Sequence, residues 1–295
     1  MSFFSIPDQN ITDKIYRALK HRSYWQKQDL TKFVETLYEK TKPFLDSNLD
    51  KKSSTNFHAH FWEMYLCYAL LLSDKTIVKR KDRKKKDSEG PDLLLKSRDQ
   101  NIWIEAVTVG AGTGSNEVII KDSEDAPTVP EEQIKLRLTS AIRNKQLKFK
   151  KYREQGIIDE NAITLISLNG KNVPLSVTDQ TVPRIVRCLF GIGNLTYSFD
   201  KNVGSFTDSY FQQDSNTQNP NQEEVRFDNF LTDQYSHISG VIYSIVDIYN
   251  MPKIIGNDLT IVYNPNAINP LQTGFLSVGQ EFYLKDEDLI NQRHY

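Results

Sequence analysis

The stretch GPDLLLKSRDQNIWIEAV, Gly90 to Val107, decides how this chain is read. PDLLLK and NIWIEAVTV are apolar runs of strand length, and SRDQ between them is turn-forming, so the stretch predicts a β-hairpin. A turn centred between Arg98 and Asp99 places Asp92 opposite Glu105. Directly opposed side chains in an antiparallel pair lie about 4.5–5.5 Å apart at Cβ, and like charges there destabilise the pair. Two acids on an apolar sheet therefore need a shared proton or a bound cation to offset them. A hard divalent ion such as Mg²⁺ takes one or two carboxylates plus waters and substrate phosphates.

Working outward, the residues before the hairpin supply a third acid. NFHAHFWEMYLCYALLLS, residues 56–73, predicts a helix that is apolar nearly all round and hence central. Glu63 is the only charged residue in its interior, and a buried carboxylate should face a partner. The residues after the hairpin supply a cation. Pro130, with Glu131 and Glu132 behind it, opens a long helix that runs to about Glu154 and stops before Gly156. Ile134, Leu138, Ala141, Ile142, Phe149 and Tyr152 form its apolar stripe, and Lys145 falls on that stripe. Lys148, Lys150 and Lys151 are assigned to the solvent side. A lysine on a packed face fits either a carboxylate cluster or a stem that packs while its amine reaches water.

An acidic helix residue, an aspartate opening one strand and a glutamate in the next resemble the PD-(D/E)xK nuclease superfamily, the restriction-endonuclease-like fold. Pro91-Asp92 is the PD, and Glu105-Ala106-Val107 stands at the E-x-K position with Val107 in place of the lysine. In some members that lysine comes from the following helix, which is where Lys145 lies. The similarity covers residues 56–168, in the order helix, three strands, helix, strand. The resemblance implies that Asp92 and Glu105 bind Mg²⁺ or Mn²⁺, with the Ala106 carbonyl as a further ligand and Glu63 assisting. It implies that Lys145 positions or activates the attacking water. The expected activity is phosphodiester hydrolysis, in DNA more than RNA, by a bacterial cytoplasmic protein with a defence role. A valine at the lysine position also fits a protein that keeps the fold and binds or scaffolds nucleic acid without cutting it.

The rest of the sequence bounds these expectations. The chain has 295 residues, 25% charged and 38% hydrophobic, with a net charge of −1. Lys and Arg outnumber Asp and Glu by 29 to 22 over residues 1–155, while acids lead by 16 to 8 over 156–295. The basic half suits a polyanion. Lys79, Arg80, Lys81, Arg83, Lys84, Lys85 and Lys86 form a run that could contact phosphates, joined by Arg143, Lys148 and Lys151. No apolar run is long enough to span a membrane, and no secretory leader is apparent. Cys67 and Cys188 sit in apolar settings and read as buried thiols.

Two other motifs carry less. HAHFWE puts His60 and Glu63 on one helix face, but no third zinc ligand stands at a suitable spacing. Gly110, Gly112 and Gly114 follow a strand, but no helix follows them as a dinucleotide loop requires. Residues 1–50 are expected to be a helical segment, with helices over 8–21 and 29–45. Residues 46–55 read as a linker, and KTIVKR, 75–80, as a strand. The expected α/β domain spans 51–295: a mixed central sheet flanked by helices, with the core at 56–168 and a sheet extension over 169–295. Within the extension, 182–193 suggest a helix, 211–227 a polar loop, and 236–249 and 258–267 two buried strands. A homodimer is a further possibility.

Overall fold

The computed structural model describes residues 2–22, 27–84, 89–97, 100–114, 117–120, 129–179, 181–219, 221–286 and 288–295. Four helices come first: α1 (Lys14–Lys20), α2 (Lys27–Thr41), α3 (Leu49–Ser53) and α4 (Phe57–Leu72). Asp13 caps α1, its Oδ1 accepting from the Ile15 and Tyr16 amides, while its Oδ2 accepts from Phe57 N at the start of α4. One acid thus satisfies orphan donors on two helices and fixes their approach. The segment expected to be a linker contains α3, because Leu49 buries itself against the core and Ser53 bonds back to the Leu49 carbonyl. The first helix is shorter than its apolar spacing predicts: residues 8–10 form a single 3-10 turn, and α1 begins only after Asp13.

Strands β1 (Thr76–Ile77), β2 (Leu93–Lys96) and β3 (Asn101–Gly110) follow, then helix α5 (Glu131–Glu154) and strand β4 (Ile163–Asn172). The core order is therefore helix, three strands, helix, strand. The β1 strand is only two residues long, because Arg80–Asp82 turn into a 3-10 helix. After β4 come α6 (Arg184–Phe190), β5 (Ile192–Asp200), β6 (Ser205–Gln213), β7 (Asn216–Gln218) and β8 (Glu224–Arg226). The chain ends with β9 (Gly240–Ser244), β10 (Thr260–Tyr263), β11 (Gly279–Lys285) and β12 (Asp288–His294). The stretch 211–227 is thus not all loop, since β7 and β8 pair within it.

Eight strands make one mixed sheet in the order β1-β2-β3-β4-β9-β10-β11-β12. Its outer pairs, β1–β2–β3 and β11–β12, are antiparallel, as is β9–β10, whereas β3–β4–β9 and β10–β11 are parallel. The parallel β3–β4 pair needs a long crossover, and α5 supplies it. Side-chain alternation along β3 divides two apolar layers. Ile102 and Ile104 join the layer that holds α4 and the N-terminal helices, and Trp103 and Val109 join the layer under α5 and α6. Helix α4 is apolar all round because it lies between the sheet and the N-terminal segment, whose Phe3, Tyr16, Val34 and Leu37 share its core. Among the described residues, no helix is long and apolar enough to cross a membrane.

Candidate active site

Leu93 stands opposite Ile104 and Leu95 opposite Ile102, the register the sequence predicts. Asp92 precedes the first paired residue of β2, so one step further along this register brings it level with Glu105. The turn residues Arg98 and Asp99 lie outside the described residues. Asp92 Oδ2 accepts a 2.7 Å hydrogen bond from the Ala106 amide, which ties the aspartate to the residue after Glu105. Burial, then the charges of Glu105 and Glu63, push the Asp92 carboxyl up to about 7. That is the effect of crowding acids in a dry site.

Glu105 is buried, and two lysines of α5 reach it. Its Oε1 accepts from Lys145 Nζ at 2.8 Å and from Lys148 Nζ at 2.5 Å. Residues 145, 148 and 152 fall on one helix face, and the Lys148 amine also lies 5.4 Å from the centre of the Tyr152 ring. Burial opposes the Lys148 charge, but the hydrogen bond to Glu105 outweighs it and holds that amine's pKa above the usual lysine range. The Glu105 Oε2 atom is buried without a hydrogen-bond partner. An unsatisfied oxygen of this kind calls for a cation or a water that it can bind.

Glu63 enters from α4. His60, one turn earlier, meets it at 3.1 Å, His60 Nδ1 to Glu63 Oε1. Glu63, His60 and Asp92 line a small cavity together with Arg80, Lys52 and Asp46, with a volume of about 50 Å³. That is room for a few water-sized particles. Thus α4, β2, β3 and α5 deliver Glu63, Asp92, Glu105 and Lys145 to one region, as the sequence suggests.

Of the expected phosphate contacts, burial corrects one, Arg83. Lys148 lies on the solvent side, 46% exposed, while its long stem carries the amine back to Glu105. Arg83 is buried rather than presented to a ligand. Its Nη1 donates to the Pro91 carbonyl at 3.0 Å and its Nη2 to the Asp92 carbonyl at 2.8 Å, over the Trp103 ring. It braces the backbone that holds Asp92. Arg143 is exposed, but it lines a groove between α5 and β7–β8, on another face of the helix from Lys145. Lys79, Lys81 and Lys84 are exposed, while Lys85 and Lys86 lie outside the described residues.

The histidines take separate partners: His58 Nε2 lies 3.1 Å from Asn169 Oδ1, whereas His60 serves Glu63. Among the described residues, no three His, Cys, Asp or Glu side chains gather closely enough to hold a metal on their own. The fit is instead to a hard ion that needs one or two carboxylates and completes its shell with water and substrate oxygens. Asp92 and the unpartnered Oε2 of Glu105 are the two carboxylates that such an ion would require here. The sequence places His60 beside Glu63, but it gives neither the bracing role of Arg83 nor the turn of the Lys148 amine to Glu105. The signal for Lys148 was present in its three- and four-residue offsets from Lys145 and Tyr152.

No family model, curated protein or solved structure matches this chain.

Proposed function

We propose that this chain is a metal-dependent nuclease of the PD-(D/E)xK type that hydrolyses phosphodiester bonds in DNA, in the cytoplasm and in a defensive role. One observation carries the reading. The Lys145 amine, on the helix that follows the acid-bearing strands, lies 2.8 Å from Glu105, so a lysine is present at the acids although Val107 occupies the motif position.

Asp92, Glu105 and the Ala106 carbonyl would hold Mg²⁺ or Mn²⁺, with Glu63 in a supporting role. When bound, such an ion lowers the pKa of a coordinated water and neutralises charge on the phosphate. The protein's own part is positional and electrostatic. An ammonium bonded to a carboxylate is a donor, so Lys145 orients the attacking water and offsets the charge that builds on the phosphoryl oxygens. Lys148 holds the far side of Glu105 Oε1 and leaves Oε2 for the ion. Arg80 and Lys52 border the Asp92 cavity with positive charge that suits an approaching phosphate.

The test is incubation with plasmid, single-stranded DNA and RNA in Mg²⁺, Mn²⁺ or EDTA. Nicking of DNA that needs the metal and disappears in Asp92→Asn supports the reading. Binding without cleavage under every metal overturns it, in favour of a silent nucleic-acid binder on the same fold.

A further inference from the structure

The β5–β6 hairpin stands apart from the eight-stranded sheet and, among the described residues, pairs with no third strand. A two-stranded hairpin is marginal alone in water. This one also alternates strongly. Leu195, Tyr197 and Phe199 lie on one face of β5, and the register sets Phe211 opposite Leu195 and Phe206 opposite Phe199. The same five residues and Val203 in the turn are exposed, Phe206 and Val203 by 70% and Tyr197 by 58%. Their rings pack only on each other: Phe206 lies 5.8 Å from Tyr197 and 5.3 Å from Phe199, both edge-on. This is an amphipathic sheet face with no core against it.

The arm is nevertheless anchored at its base. At its base, the Lys135 ammonium is buried, bonded to Asp214 and lies 4.2 Å over the Phe227 ring. Arg187, also buried, donates to the Ile192 carbonyl at 3.3 Å and to Asn194 Oδ1 at 3.0 Å. Buried cations are costly to place, and here they clamp both strands where they leave the body.

We propose that the β5–β6 arm is the surface through which two copies of this chain pair, independently of any chemistry at the acid cluster. Charge excludes a polyanion as the occupant: the arm carries Asp200 and Asp208 against Lys201 alone. Its apolar face bears no charge, so it is complementary to itself, as a two-fold contact requires. Among the described residues no strand pairs with the outer edge of β6, and β6 holds no lysine or proline to discourage strand pairing. The area is also sufficient. With aromatic side chains of about 150–250 Å² each, the exposed parts of these six residues present roughly 600 Å² per copy. Two such faces would bury on the order of 1,200 Å², the lower bound of a specific interface.

The test is sedimentation equilibrium of the full chain across micromolar concentrations, in EDTA and without nucleic acid. The wild type should form a closed dimer. Phe206→Glu, at a side chain that contributes little to the monomer's own core, should weaken association by on the order of tenfold or more, with an unchanged thermal transition at concentrations where both proteins are monomeric. Leu147→Glu, at an exposed leucine on α5, should leave the dimer intact. A monomeric wild type overturns the proposal, whether the arm then engages nucleic acid or an unlike protein. So does an open-ended polymer, or a dimer that Phe206→Glu and Tyr197→Glu both leave unchanged.

Discussion

Asp92→Asn should make the metal-free protein more stable, and the gain should grow with pH. The Asp92 carboxyl is raised from 3.8 to about 7 in the folded chain, by burial and then by Glu105 and Glu63. The folded state therefore holds this proton more tightly than the unfolded chain. A raised folded pKa contributes stability that is complete below about 4 and lost as the pH rises past about 7. At 1.36 kcal/mol per unit, ionising this group in the fold costs up to about 4 kcal/mol at pH 8. Asparagine has nothing to ionise, and its side-chain oxygen can still accept from Ala106 N. Between pH 5 and pH 8, the advantage of Asp92→Asn over wild type should grow by about 2–3 kcal/mol. Urea unfolding of both proteins in EDTA at the two pH values reads the difference. An advantage that stays constant with pH, or a variant that loses stability as the pH rises, would refute the reasoning. If the proposed cation binds here it offsets this cost, so Mn²⁺ should stabilise the wild type at pH 8 and not the variant.

Arg83→Met should destabilise the chain by about 2–3 kcal/mol, since it leaves the Pro91 and Asp92 carbonyls without their charged donor; chemical denaturation measures this. Replacing Lys79, Lys81 and Lys84 together by alanine should weaken DNA binding uniformly across sequences. It should also flatten the slope of log affinity against log salt by about 2–3, as read by fluorescence anisotropy at several salt concentrations. Glu105→Gln should release Lys145 and Lys148 from a common partner, so that cleavage falls below detection while DNA affinity in EDTA holds or rises. Parallel nicking and binding assays on one preparation separate those two effects.

Much of the core was readable because its signals are local. Pro130, Glu131 and Glu132 mark the start of α5, and its stripe from Ile134 to Tyr152 marks the buried face. The hairpin register follows from a short turn, which leaves Leu93 no other convenient partner than Ile104. The convergence of Glu63, Asp92, Glu105 and Lys145 follows from the same economy, since charged residues on packed faces need one another. What was not readable depends on reach or on distant pairing. Lys148 belongs by position to the edge of the stripe, and only the length of its side chain brings it to Glu105. Arg83 sits in a run of lysines that gives no sign of its burial over Trp103. Strands β11 and β12 mix polar and apolar residues as edge strands do, and they are fixed by pairing with each other and with β10. The β5–β6 arm alternates plainly in sequence, yet it has no core to face, so its pattern does not connect with the sheet reading.

The most direct measurement of the central claim compares wild type with Lys145→Met in one preparation of each. Single-turnover cleavage of a DNA duplex in Mn²⁺ is followed beside equilibrium binding of the same duplex in EDTA. The account predicts that methionine keeps the stem packing and the DNA affinity, while the cleavage rate falls by about two to four orders of magnitude. Equal cleavage by the two proteins, or none by the wild type while it binds DNA, would contradict it.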